Sequence, residues 1–207
     1  MVHENDAAER LCKLCRGANM DRGGVKEGKI ELTAAVDGLF WLDREKLMAI
    51  NSLEDIMIAT RHGDTAVKAG DKLCGTRVIP LVIEEEKLRS AEAAAGDTPI
   101  MAVLPYKVKT AGIVTTGSEV FKGLIKDTFT PVVEEKLRAY GIAVIAHETV
   151  GDGLENVAVA IERIREKGVD LILCTGGMSV DPDDNTPGAI KRSGARIVTY
   201  GAPVLPG

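Results

Sequence analysis

From Lys109 onward, short apolar runs alternate with amphipathic stretches, a pattern that few architectures accommodate. Residues 111–115, 142–146, 169–174 and 195–200 read as buried strands, and residues 131–140, 154–167 and 186–193 as helices. The order is β-α-β-α-β-α-β. Gly141, Gly168 and Gly194 each stand between a helical stretch and the next strand, where C-terminal caps belong. In the stretch from Leu154, the side chains Val157, Ala158, Ile161 and Ile164 line one face, and Glu155, Glu162, Arg163 and Glu166 fill the rest. Strands that are apolar throughout, linked by helices, pack as a parallel sheet covered on both faces. The predicted fold class is therefore α/β: a three-layer sandwich with a mostly parallel sheet, preceded by a smaller β-containing α+β region.

The division is placed at residues 1–105 and 106–207. In the first half, a helix is expected over residues 6–16, strands over 29–33, 55–60 and 76–83, and a short helix over 43–50 capped by Asp43. Residues 84–95 are charged and then alanine-rich. They read as a surface helix running into a linker at Gly96, Asp97, Thr98 and Pro99. No catalytic motif stands out in this half. The final run, to Gly207, follows a predicted strand with no helix to cover the crossover. That arrangement implies a domain cut short and a chain that associates as a homo-oligomer.

Composition narrows the function. The 207 residues are 45% hydrophobic with net charge −5, and the 26 Lys and Arg are dispersed, so no basic stripe is offered to a nucleic-acid backbone. Aromatic residues at 3% are too few for a base-stacking platform. No apolar run is long enough to span a membrane, and the opening His3, Glu4, Asn5 and Asp6 do not resemble a signal peptide, which points to the cytoplasm. Cys12 and Cys15 form a CxxC with no second pair for zinc, and read as small buried hydrophobes. His3, His62 and His147 are scattered and read as structural.

The chemistry concentrates where predicted strands end. The segment from Thr175 to Pro187 joins a strand, the glycines Gly176 and Gly177, the acidic Asp181, Asp183 and Asp184, and a helix start at Thr186 and Pro187. Two glycines let backbone N–H groups approach an anion, and carboxylates beside an anion require a cation between them. Glycines with carboxylates thus suggest phosphate with Mg²⁺. Two further loops follow strands in the same way. One carries Thr115, Thr116, Gly117, Ser118 and Glu119 with Asp127 downstream; the other carries Gly151, Asp152 and Gly153. In a parallel sheet all three loops meet at one edge, where ligands bind.

Residues 109–207 resemble the molybdopterin-binding domain shared by enzymes of late molybdenum cofactor biosynthesis. Thr115 to Glu119 is similar to that family's Ser-Thr-Gly-Asp-Glu loop, with Ser118 standing in the aspartate position, and Gly123 to Asp127 is similar to its Gly-x-Ile-x-Asp element. Gly176, Gly177, Met178, Ser179 and Val180 resemble the molybdotransferase branch. Pro182 to Pro187 resembles instead the adenylyltransferase branch and the competence-damage-inducible proteins. The resemblance implies that Asp127, Asp152 and Asp184 hold Mg²⁺ and act on the phosphoanhydride, with Glu119 as a further acidic partner. It also implies that Thr116, Gly117, Ser118, Glu119, Gly176, Gly177, Met178, Ser179 and Thr186 hold molybdopterin or its adenylylated form. The implied activity, if the protein is an enzyme, is molybdate insertion. The alternatives are a non-catalytic module that binds pterin or finished cofactor, and the ATP-dependent adenylyltransferase step.

Overall fold

The computed structural model describes residues 1–178, 185–199 and 201. The chain divides into two units, Met1–Tyr106 and Lys107–Gly207.

In the first unit, β1 (Val2–His3) leads into α1 (Glu4–Cys15), followed by β2 (Met20–Arg22), β3 (Lys29–Ala34) and β4 (Gly38–Leu42). Next come α2 (Arg44–Asn51), β5 (Ile56–Thr60), β6 (Thr65–Val67), β7 (Lys72–Val78), β8 (Val82–Ile83), α3 (Glu85–Ala95) and β9 (Met101–Pro105). The strands form two antiparallel sheets, β2-β3-β7-β5 and β6-β4-β9, with β1 and β8 pairing separately. One apolar core joins Leu11, Phe40, Ile50, Leu73, Leu88 and Met101, all buried. The α1 face that enters this core carries Cys12 and Cys15. A hydrogen bond with Cys74, together with burial, pushes the Cys15 thiol pKa up. Asp43 caps α2 as expected, accepting from the Lys46 N–H at 3.1 Å.

One expectation for this half is corrected, and one strand is added. The strand foreseen over residues 76–83 is interrupted between β7 and β8, where Pro80 cannot donate to a ladder. Residues 96–99 form the connection foreseen there, and they lead into β9, a strand not foreseen, which pairs with β4 from Gly38↔Pro105 to Leu42↔Met101. Its alternation of buried Met101 and Val103 with less buried Ala102 and Leu104 is a strand pattern.

The second unit is α/β. Here β10 (Thr110–Thr116), α4 (Ser118–Phe121), α5 (Phe129–Ala139), β11 (Ala143–Val150), α6 (Leu154–Glu166), β12 (Leu171–Thr175) and α7 (Thr186–Arg192) follow the predicted alternation. The sheet is parallel, in the order β11-β10-β12. Alternate residues of β10 face opposite layers. Val114 joins Ala146, Val157, Ile161 and Ile164 in the core under α6, while Thr115 turns to Thr130 of α5. Helices thus cover both faces of the sheet. Gly112 lies directly beneath α6, where a methyl group would come within 2.2 Å of Ile164 Cγ2.

The strand foreseen over residues 195–200 is not formed at residues 195–199, and Tyr200 lies outside the described residues. Strand-like composition alone does not make a strand; among the described residues the segment has no ladder partner, and Val198 is 81% exposed. Among the described residues, no helix is long and apolar enough to cross a membrane.

The tight contact at Gly112 gives a stability test. Gly112→Ala should cost about 1–3 kcal/mol through overpacking and lower the melting temperature. Combined with Ile164→Ala, which removes the obstructing methyl, the two losses should be clearly less than additive. Additive losses would show that the helix–sheet contact at this position is not the determinant.

Candidate functional site

The parallel register sets the three strand ends level. Thr116 pairs with Val150 and Thr115 with Thr175, so the loops after β10, β11 and β12 emerge together at the carboxyl edge of the sheet. The first two loops are tied to each other. Gly117 donates its N–H to the Val150 carbonyl at 3.2 Å, and the Ser118 N–H donates to Asp152 Oδ2 at 2.9 Å. The Asp152 N–H reaches back to Ser118 Oγ at 3.4 Å, completing a reciprocal clip. The Ser118 hydroxyl and N–H lower the Asp152 carboxyl pKa despite partial desolvation. The Ser118 that replaces the family aspartate therefore fixes the orientation of Asp152.

The first loop is tied to the third through hydroxyls on the other face. Thr116 Oγ1 donates to the Thr175 carbonyl at 3.1 Å and lies 3.3 Å from Thr186 Oγ1. Thr186 Oγ1 donates to the Gly176 carbonyl at 3.0 Å, and its N–H reaches the Gly177 carbonyl at 3.3 Å. These contacts explain the glycine pair. A Cβ at Gly176 would lie 2.2 Å from the Thr116 carbonyl oxygen, and one at Gly177 would lie 2.6 Å from Thr186 Oγ1. Both residues also adopt positive φ, +84° and +56°. The requirement for glycine thus comes from the approach of two loops, in addition to any approach of an anion.

Asp127 occupies a different environment. Its Oδ1 accepts from the N–H groups of Phe129 and Thr130 at 2.9 and 3.0 Å, capping the opening turn of α5. Its Oδ2 accepts from the hydroxyls of Thr130, in a short contact, and Thr115, at 3.3 Å. Desolvation raises the carboxyl pKa, and these four donors outweigh it, so the net shift is downward. Thr115 Oγ1 also lies 3.0 Å from His147 Nε2 and 3.1 Å from Thr130 Oγ1. Thr115, Thr116, Thr130 and Thr186 are the buried polar side chains of the second unit among the described residues. All four belong to this edge of the sheet.

The structure therefore brings together Thr116, Gly117, Ser118, Asp152, Gly176, Gly177 and Thr186. Glu119 is exposed on α4, and Met178 is exposed after the glycine turn. Ser179 and Asp184 lie outside the described residues, as do Asp181 and Asp183. Among the described residues, no group of three or more His, Cys, Asp and Glu side chains has the geometry to hold a metal ion. Sequence reasoning named Thr115 only as a member of its loop, read His147 as structural and missed Thr130. Their signal is faint, because hydroxyl and imidazole contacts across three elements depend on strand register.

These features define a carboxyl edge of a parallel α/β sheet at which three loops converge, and comparison with known proteins shows what the unit is similar to. Residues 112–206, within the second unit, match the family model described as a probable molybdopterin binding domain. A CinA-like protein of Desulfosudis oleivorans is 40% identical over 83 residues, 40% of this chain and 20% of that protein. A molybdopterin molybdenumtransferase of Synechococcus elongatus is 28% identical over 141 residues, 64% of this chain and 33% of that protein. The chain thus spans between 20% and 33% of the length of these curated relatives. Among solved structures, a tungsten cofactor synthesizing protein MoaB from Pyrococcus furiosus superimposes with a TM-score of 0.39 at 26% identity. That match covers 42% of this chain and 54% of the other.

The Ser118–Asp152 clip predicts a pH response. Because Asp152 titrates below the ordinary aspartate range, the clip should be fully present above that range and be lost as pH falls through the lowered folded value. Ser118→Ala should move the Asp152 carboxyl back up toward the ordinary range, read from its ¹³C shift. An unmoved titration would mean that the hydroxyl does not hold the carboxylate.

Proposed function

We propose that the second unit binds molybdopterin, in its adenylylated form, at the carboxyl edge of the sheet and supports insertion of molybdate. The observation that carries this reading is the convergence of three loops, locked by the Ser118–Asp152 clip and the Thr116–Thr186–Gly176 contacts. A site locked before the ligand arrives avoids the ordering cost of binding. Backbone around Gly117, Ser118, Gly176 and Gly177 would face the ligand, with Thr116 and Thr186 holding the loops apart at a fixed distance.

Mg²⁺ fits this donor set in part. Asp152 is exposed and anchored through Oδ2, so it would hold the ion without losing its place. Asp184 would be its partner. Asp127 fits less well, since each of its oxygens already accepts two hydrogen bonds within the chain. Its part would be to position the loop that follows β10. When bound, Mg²⁺ supplies positive charge against the anionic phosphate oxygens.

That saturation of Asp127 also favours a second reading, a module that binds pterin or finished cofactor without turnover. The two readings and the adenylyltransferase step separate in one incubation with molybdopterin, ATP, Mg²⁺ and molybdate. Molybdate-dependent AMP release identifies insertion, pyrophosphate release identifies adenylylation, and retention of pterin with neither identifies a binding module. If turnover is seen, Asp184→Asn should reduce it by about 10²-fold with an unchanged melting temperature. Asp152→Asn should weaken the dependence on Mg²⁺. Unchanged activity in both variants would remove the carboxylates from the reaction.

A further inference from the structure

A groove of about 550 Å³ runs along β11 and α6, beside the Ser118–Asp152 clip. Phe121, Glu148, Gly151, Asn156, Val159 and Arg163 line it. Its volume lies within the usual range of small-molecule sites. Three features give it chemical character. Phe121 is 59% exposed and presents its ring to the groove. The ring lies over Gly151, where a Cβ would sit 3.6 Å from Phe121 Cδ1 and 3.8 Å from Ser118 Oγ. The groove therefore adjoins the clip directly. The Glu148 side chain, only 21% exposed, forms an ion pair with Arg163 through Oε2 at 3.5 Å, longer than a well-formed hydrogen bond.

An aromatic ring, a bare glycine and a sheltered carboxylate together select a flat heterocycle. Ionised Glu148 presents two acceptors and no donor. The complementary edge has two adjacent N–H donors, as in the 2-amino-4-oxopyrimidine ring shared by pterins and guanine. The adenine edge pairs a donor with an acceptor and leaves one carboxylate oxygen facing a lone pair. An uncompensated acceptor in a partly desolvated site is costly. We propose that this groove is the ring subsite of the second unit, in which a 2-amino-4-oxopyrimidine stacks on Phe121 and donates two hydrogen bonds to Glu148. The proposal rests on the molybdopterin reading above and adds where the pterin ring lies and what distinguishes it from adenine. A ring seated here has its substituents next to Ser118 and Asp152, where an anionic group and its cation are expected.

The test uses the full chain, ¹⁵N-labelled, titrated with 6-hydroxymethylpterin, GMP and AMP. Pterin and GMP should shift the Gly151 and Thr149 amide signals and bind at least tenfold more tightly than AMP. Glu148→Gln offers one donor and one acceptor, so it should weaken the pterin at least tenfold and turn the preference toward AMP. Phe121→Leu should weaken all three ligands, with an unchanged melting temperature confirming the fold. Pterin binding with shifts elsewhere, or equal affinity for wild type and Glu148→Gln, would overturn the ring subsite while leaving the molybdopterin reading intact. Failure of the pterin to bind at any position, with AMP binding at Gly151, would overturn both.

Discussion

Two adjacent threonines at the end of one strand hold the site together. Because successive strand residues face opposite sides, Thr115 turns toward α5 and Thr116 toward α7. Thr115 enters a cluster with Thr130, Asp127 and His147, and Thr116 meets Thr175, Thr186 and the glycine turn. Each hydroxyl supplies one donor and can accept from others, which lets a small side chain join several elements in a dry environment. An apolar residue at either position would leave carbonyl or carboxylate oxygens short of a partner inside the protein, at a cost of about 1–3 kcal/mol each. None of the buried side-chain polar atoms among the described residues lacks a partner.

The two described carboxylates of the site show how environment divides similar residues into different roles. Asp127 is enclosed and accepts four hydrogen bonds, so it organises the chain between β10 and α5. Asp152 is exposed and fixed by a single neighbouring loop, which leaves it available to a cation. Both are held ionised by hydrogen bonds rather than by a basic side chain in contact. The groove beside the Ser118–Asp152 clip has a mixed character, with Phe121 and Val159 alongside Glu148, Asn156 and Arg163.

The order of strands and helices in the second unit was legible because the signals are local. Glycine after each helix, apolar runs of strand length and a threonine–proline helix start act within a few residues. The same signals placed three loops at the ends of three strands, which is where β10, β11 and β12 end. They missed β9 and misread the stretch after Gly194, where composition suggested a strand. Pairing partners decide such segments: β9 has β4 beside it, and residues 195–199 have no strand beside them among the described residues.

The sequence by itself determined the α/β class of the second unit, the family resemblance and the loop residues that gather at one edge, because periodicity, capping and glycine placement are short-range properties of the chain. Tertiary structure decided the roles. It assigned Asp127 to capping and Asp152 to an exposed clip, joined His147 to Thr115, and set Phe121 over Gly151 beside Glu148. Those outcomes depend on strand register and burial, which arise between residues up to 34 positions apart in the case of Ser118 and Asp152. Hydrogen-bond geometry fails over fractions of an ångström. Only the folded backbone fixes distances that finely.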